Sequence, residues 1–239
     1  MAVSATAIAR IWEGDGYRLF LSHKAEDKKE ASDLKKQLRK FGVCAFVAHE
    51  DIKPTEAWQR EIERALKSMD ALAALMTKDF NNSLWTDQEV GFALGRRVPI
   101  IAVNLGRNPY GFIGSMQALK SNWADAPQAI VKLIVKNKAM IEAYVQAIAD
   151  CPSWNAGNDL AEILPALKSL DEDQTQAVVD AYNSNSEVHG SWGFNGTRPG
   201  TYRRGLIAHL DRWTPGEYEV GDGPAYQIRR IAKHKKKRK

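Results

Sequence analysis

The sequence predicts an α/β layer, a doubly wound parallel sheet of five strands, followed by a smaller α+β region. Three observations carry this. Short apolar runs alternate with longer, charged, helix-compatible segments over about the first 120 residues. The runs are continuously apolar rather than alternating, as strands covered on both faces must be. Near Ala126 the rhythm changes to long helical stretches and a terminal strand pair. Strand–helix–strand units cross over right-handedly, which winds the helices onto the sheet.

The elements follow in order. Tyr17 to Leu21 is an apolar and aromatic strand. Asp27 to Lys40 is a charged helix with Leu34 and Leu38 on one face, stopped by Phe41 and Gly42. Val43 to Val47 is the second strand. Pro54 opens a helix over Glu56 to Ser68, with Trp58, Ile62, Ala65 and Leu66 at helical spacing. Ala71 to Met76 is the third strand. Asn81 to Arg97 reads as the third helix with Ser83 as its N-cap. Val98 to Val103 is the fourth strand, its proline near the start where a strand tolerates one. A weakly marked fifth strand falls near Gln117 to Lys120. Ala126 to Asp150 reads as one long helix, broken by Cys151-Pro152. Leu160 to Tyr182 is helical with a break at Pro165. Glu217 to Val220 and Ala225 to Ile231 flank a Gly-Asp-Gly-Pro turn as a hairpin. Trp154, Trp192 and Trp213 are expected as core anchors of this region. The division is thus an α/β domain over residues 1–150 (core about 17–140), an α+β region over 151–232, and a basic tail over 233–239.

The 239 residues are 44% hydrophobic and 26% charged, ordinary globular usage that excludes collagen-like and disordered chains. The net charge of +5 suggests a nucleic-acid partner at first sight. That charge lies in the tail, where Lys233 to Lys239 hold six Lys or Arg. Without them 28 basic residues face 29 acidic ones, a net of −1. Nucleic-acid binding is therefore disfavoured for the body of the chain. Two cysteines, Cys44 and Cys151, make neither a disulfide framework nor a Cys-rich zinc site. Cys44 reads as a small buried apolar residue. Residues 1–16 do not read as a secretory signal, and no apolar run approaches the roughly 20 residues that span a bilayer. The expected setting is cytoplasmic, without a membrane partner.

Several chemistries are missing. There is no phosphate-binding Gly-x-x-x-x-Gly-Lys-Ser/Thr loop and no dinucleotide fingerprint. The five histidines, at 23, 49, 189, 209 and 234, lack metal-ligand spacing, so no metal is expected. The first strand ends in Ser22-His23 and the third in Met76-Thr77, not in the acidic residues of a phosphoryl acceptor.

In open α/β sheets, ligands sit beyond the carboxyl ends of the strands, where strand order reverses. Ser22, His23 and Lys24 follow the first strand there, and Thr77 to Phe80 follow the third. Trp85 and Glu89, at i and i+4, share one face of the next helix. Pattern alone leaves two readings. The pair rims a cleft that stacks a flat ring and holds a ribose diol, or Trp85 covers the sheet edge and Glu89 is solvated. Glu61 and Glu63 also stand near a tryptophan, Trp58, and Glu61 ranks below Glu89.

From Tyr17 to about Ala118 the chain resembles a bacterial Toll/interleukin-1 receptor (TIR) domain. Tyr17 to His23 (Tyr-Arg-Leu-Phe-Leu-Ser-His) resembles its first conserved box. His49 to Pro54 resembles the loop after the second strand. Leu84 to Leu94 resembles the Trp-x-x-x-Glu helix of enzymatic members, and Pro109 to Leu119 a stretch near their fifth strand. The resemblance implies a flavodoxin-like fold. It implies an enzyme that cleaves the nicotinamide–ribose bond of NAD+, giving ADP-ribose or an isomer of cyclic ADP-ribose. It implies Glu89 as catalytic residue and Trp85, Ser22, His23, Lys24 and Phe80 as substrate-binding residues. NAD+ enters as substrate, and no cofactor is implied. Implied partners are further copies of the chain through TIR–TIR contacts and, as in bacterial anti-phage defence, a downstream effector or a phage-derived trigger. Two alternatives stand beside this. One is a non-catalytic TIR adaptor acting through the His49 to Trp58 loop. The other is a nucleoside deoxyribosyltransferase-like enzyme, against which that loop argues.

Overall fold

A computed structural model describes residues 3–48, 56–196, 205–221 and 227–231. The loop from His49 to Pro54, the Trp58 side chain, the turn expected at 221–224 beyond its first residue and the basic tail lie outside the described residues. The chain forms two compact units that divide between Val131 and Lys132.

The first unit opens with a helix that the sequence did not announce, α1 (Ala5–Trp12). Ser4 caps it by accepting from the Ala7 amide, 3.3 Å. Its buried Trp12 donates Nε1–H to Ser68 Oγ, 2.9 Å away. Then come β1 (Tyr17–Ser22), α2 (Lys28–Arg39), β2 (Val43–Val47), α3 (Glu56–Ser68), β3 (Ala71–Met76), α4 (Thr86–Arg96), β4 (Ile100–Asn104), β5 (Leu119–Lys120) and α5 (Ala126–Ile134), within which the division falls. The five strands are all parallel, in the order β2-β1-β3-β4-β5, and helices flank them. This is the flavodoxin-like order, with its switch point between β1 and β3. Apolar continuity explains the pattern: every residue of Ala71–Met76 is buried. The core runs through Phe20, Leu72, Met76 and Phe80. Cys44 is buried, as expected. Gly42 takes φ +82 after α2, a left-handed conformation that glycine adopts without steric cost. Arg18 grips Asp70 through two parallel contacts, 2.6 and 3.0 Å, and so ties the start of β1 to the turn before β3.

Two expected helices are corrected here. The third helix does not start at Asn81. Phe80–Asn82 is a 3-10 turn, Ser83 is extended, and α4 begins at Thr86 with Trp85 at its N-cap position. Ser83 Oγ accepts the Trp85 amide, 3.3 Å, rather than capping a helix that starts beside it. The stretch from Ala126 to Asp150 is not one helix. Asn137 is extended and its side chain accepts from the Ala139 amide, so a new helix starts although the apolar spacing runs on.

The second unit holds α6 (Lys138–Ala149), α7 (Trp154–Ala161), α8 (Glu172–Ser184), α9 (Ser186–His189), α10 (Trp192–Asn195), α11 (Gly205–Trp213) and a hairpin of β6 (Tyr218–Val220) and β7 (Ile228–Arg230). Tyr144, Leu160, Tyr182 and Phe194 form part of its core. Asn183 docks the hairpin, donating to Ile228 O (2.7 Å) and accepting from Ile228 N (2.9 Å) as a neighbouring strand would. Trp154 and Trp192 are not core anchors: they are 55% and 48% exposed. Trp213 is half-buried and donates to Leu167 O, 2.8 Å.

Candidate active site

Strand β1 ends at Ser22, opposite Ala74 of β3. The chain beyond β3 makes the 3-10 turn at Phe80 and then enters α4. The start of that helix is anchored from within: buried Thr86 donates Oγ1–H to Phe80 O, 3.0 Å. Asp87, on the outer side, accepts from the Tyr110 hydroxyl at 2.5 Å. With α4 placed so, Glu89 points inward. It is 3% exposed, and the hydroxyl of fully buried Ser22 donates to its Oε2 across 2.6 Å.

Glu89 also lines a cleft of about 380 Å³ between α3 and α4, within the size range of small-molecule sites, roughly 300–1,000 Å³. Ile62 and Leu66 of α3 face Trp85 and Phe92 of α4 across it. Glu63 and Lys67 line it too, paired with each other at 3.3 Å. The wall is thus mostly apolar and aromatic, with the buried Glu89 carboxyl set into it and Gln59, Gln88 and the Glu63–Lys67 pair as its other polar groups.

Burial raises the Glu89 pKa from its ordinary 4.5 to about 7. Two influences oppose this. The Ser22 hydroxyl favours the charged form. A place in the first turn of a helix does so as well, by about 0.3–1 kcal/mol. Burial still prevails, by on the order of 3 kcal/mol against the ionised carboxylate. The acid therefore changes charge near neutrality, as acid–base and electrostatic catalysts often do.

The expected site residues do not all meet in this cleft. Trp85 and Glu89 line it. Ser22 (0% exposed) and His23 (3%) lie beneath the surface, and His23 Nδ1 is 2.9 Å from Leu21 O as its donor. Lys24 lines a separate groove of about 480 Å³ with Asp79, Asn82 and Ser83, its Nζ 3.9 Å from Asp79 Oδ2. Phe80 is buried in the core and lines neither. Glu61 is engaged by Arg10 and, at 3.0 Å, by Arg64. Sequence reasoning passed over Gln59, Lys67 and Gln88, and above all Phe92. It stands three places after Glu89 and seven after Trp85, so helical spacing alone puts it on their face. Ile62 and Leu66 stand out in the sequence only by their helical spacing, and periodicity does not tell a packed face from a cleft wall.

Among the described residues, no cluster of three or more His, Cys, Asp or Glu side chains is placed to hold a metal ion. None of the described helices is long and apolar enough to cross a membrane.

The structure thus defines a flavodoxin-like α/β domain with a carboxyl buried beside its switch point and lining a cleft. Residues 19–134, which span nearly all of the parallel sheet, match the family model of the TIR domain. No curated protein and no solved structure matched the chain.

Proposed function

We propose that the chain is a TIR-domain NAD+ glycohydrolase or cyclase. It releases nicotinamide and leaves ADP-ribose, when water attacks the ribose, or an isomer of cyclic ADP-ribose, when a group within the substrate does, in bacterial anti-phage immunity. The observation that carries this is the Glu89 carboxyl, buried with Ser22 and lining the cleft walled by Trp85 and Phe92. Nicotinamide leaves a cationic glycosidic nitrogen as a neutral amide, so no strong general acid is required. Its departure leaves oxocarbenium character on the ribose, as in glycoside cleavage. A carboxylate fixed beside the ribose stabilises that charge, and in a water-poor site it does so more strongly than in water. The aromatic wall suits a flat heteroaromatic ring. Where water is excluded, a nucleophile within the substrate competes, which opens the cyclic product.

Glu89 must be ionised for this role. Activity therefore rises with pH through an apparent value near 7 in the free enzyme. TIR domains commonly self-associate, so the assay belongs at high as well as low protein concentration. The purified 239-residue chain is incubated with NAD+, and nicotinamide and ribosyl products are separated by chromatography, with Glu89→Gln alongside. Nicotinamide release by wild type and its loss in Glu89→Gln is the expected result. A concentrated, assembled wild type that releases none overturns the reading in favour of the adaptor.

A further inference from the structure

We infer that Ser22 is a positioning residue for Glu89: from the end of β1 its hydroxyl holds Oε2, which keeps the carboxyl in one orientation and leaves Oε1 as the acceptor a ligand can take. This deepens the proposed reading of Glu89 and rests on it.

The resemblance implied a Ser22 that borders the substrate. A side chain with 0% exposure reaches no substrate. A buried hydroxyl still needs a partner. The other buried hydroxyls of this unit with known acceptors behave differently. Ser68 donates to Arg64 O at 2.7 Å and Thr86 to Phe80 O at 3.0 Å, both backbone carbonyls. Thr77 donates to Asp27, which is not buried. Ser22 alone among them turns to a buried carboxyl, and among the described residues it is the only hydrogen-bond partner that carboxyl has. The separation of 2.6 Å falls in the range of charge-assisted O–H···O⁻ bonds, about 2.5–2.7 Å.

The two residues come from elements 67 positions apart and meet because β1 and β3 are neighbours at the switch point. Ala74 stands opposite Ser22 on β3 and offers no competing polar group. The charged or titratable groups that face Glu89 from packed elements are few. Glu63 and Lys67 of α3 line the cleft and neutralise each other, and His23 follows Ser22 on β1. Strands β3 and β4 bring none, since Ala71–Met76 and Ile100–Asn104 hold no charged residue. Ser22 is thus the group placed to offset burial of the carboxylate.

The test uses the 239-residue chain as wild type, Ser22→Ala and Ser22→Thr. The Glu89 carboxyl is titrated by carbon-13 NMR from pH 4 to 10, its signal identified by absence in Glu89→Gln. In parallel, kcat and KM for NAD+ are followed over pH 5 to 9. In Ser22→Ala the Glu89 midpoint rises from about 7 to about 8 or above, since a donor to the charged form is lost. At pH 7 the ionised fraction then falls from about one half to about one tenth, and kcat falls about fivefold. The loss recedes by pH 9, and KM moves by less than about twofold. Ser22→Thr, which keeps the hydroxyl, brings the midpoint back. A purely structural Ser22 predicts an equal loss at every pH and an unmoved Glu89 midpoint, and that outcome overturns the inference. Should wild type prove inert toward NAD+ while the Glu89 midpoint still follows Ser22, the positioning role stands and the NAD+ reading falls.

Discussion

In the C-terminal unit, buried Thr175 donates to Asp171 O and buried Ser191 to Val188 O, each across 2.7 Å. Asn185 donates to the carbonyls of Ala149 and Cys151, both at 2.9 Å, and closes the turn after α6. Its polar interior serves the backbone, whose unsatisfied groups are costly to bury. The N-terminal unit has the same kind of bond at Thr86 and Ser68, and one that differs in kind. Glu89, the only buried carboxyl among the described residues, is held by a serine and by no backbone group. Burying that acid costs stability at neutral pH. A buried ionisable group that lines a cleft is the kind of residue the proposed function calls on. Buried polar atoms alone would not have separated the two units; their partners do.

Breaking the contrast at Glu89 has the largest expected effect. Glu89→Gln keeps the shape and removes the charge, so NAD+ turnover falls about 10²–10³-fold if the carboxylate stabilises the ribose cation. Stability moves the other way. The folded pKa is raised to about 7 from 4.5, so folding binds a proton between those values. This contribution is full below about pH 4.5 and is lost as pH rises through 7. Wild type therefore loses on the order of 3 kcal/mol from this group by pH 8, and Glu89→Gln does not. Melting curves show it: the variant melts above wild type at pH 8 and level with it near pH 4.5. A variant that melts lower at pH 8 would mean the acid is structural.

Asn185→Ala breaks the C-terminal counterpart. It strips donors from buried carbonyls at the end of α6, and an unsatisfied buried group costs about 1–3 kcal/mol. Asn185 does not titrate, so the loss in urea unfolding is the same at pH 5 and pH 8, against the pH-dependent change at Glu89. Trp85→Ala sharpens the reading of the cleft. Losing one aromatic wall, worth about 1–2 kcal/mol, raises the KM for NAD+ about tenfold with a smaller change in kcat.

The sheet was legible in the sequence because burial on both faces writes itself as unbroken apolar runs. Val43–Val47 and Ala71–Met76 needed no tertiary knowledge. The helices were less so. The apolar spacing from Ile130 to Val145 passes straight through Asn137, where one side-chain acceptor starts a new helix. Trp154 and Trp192 carry the size of core residues but lie half open to solvent. At the site, Trp85 and Glu89 were legible as one helix face. Depth was not. Spacing places Phe80 near the strand ends, and only packing shows it in the core. The Ser22–Glu89 bond joins residues that nothing local connects, and it exists because the third strand returns beside the first.

The smallest effect falls where the comparison predicts an ordinary residue. Asp171 caps α8: its carboxyl accepts the Gln174 amide at 2.7 Å while Gln174 Oε1 accepts the Asp171 amide at 3.1 Å. This acid is exposed and local, the opposite of Glu89 in each respect. Both close the same kind of account, a carboxylate near a helix start, yet only the Asp171 oxygen satisfies a backbone donor. Asp171→Ala is therefore expected to cost about 1 kcal/mol, the usual value of an N-cap. Asp171→Asn, which keeps an acceptor, recovers most of it. Urea midpoints measure both. If Asp171→Asn were as damaging as Asp171→Ala, charge rather than amide satisfaction would be what an acid contributes in the C-terminal unit, and the line drawn between it and Glu89 would have to move.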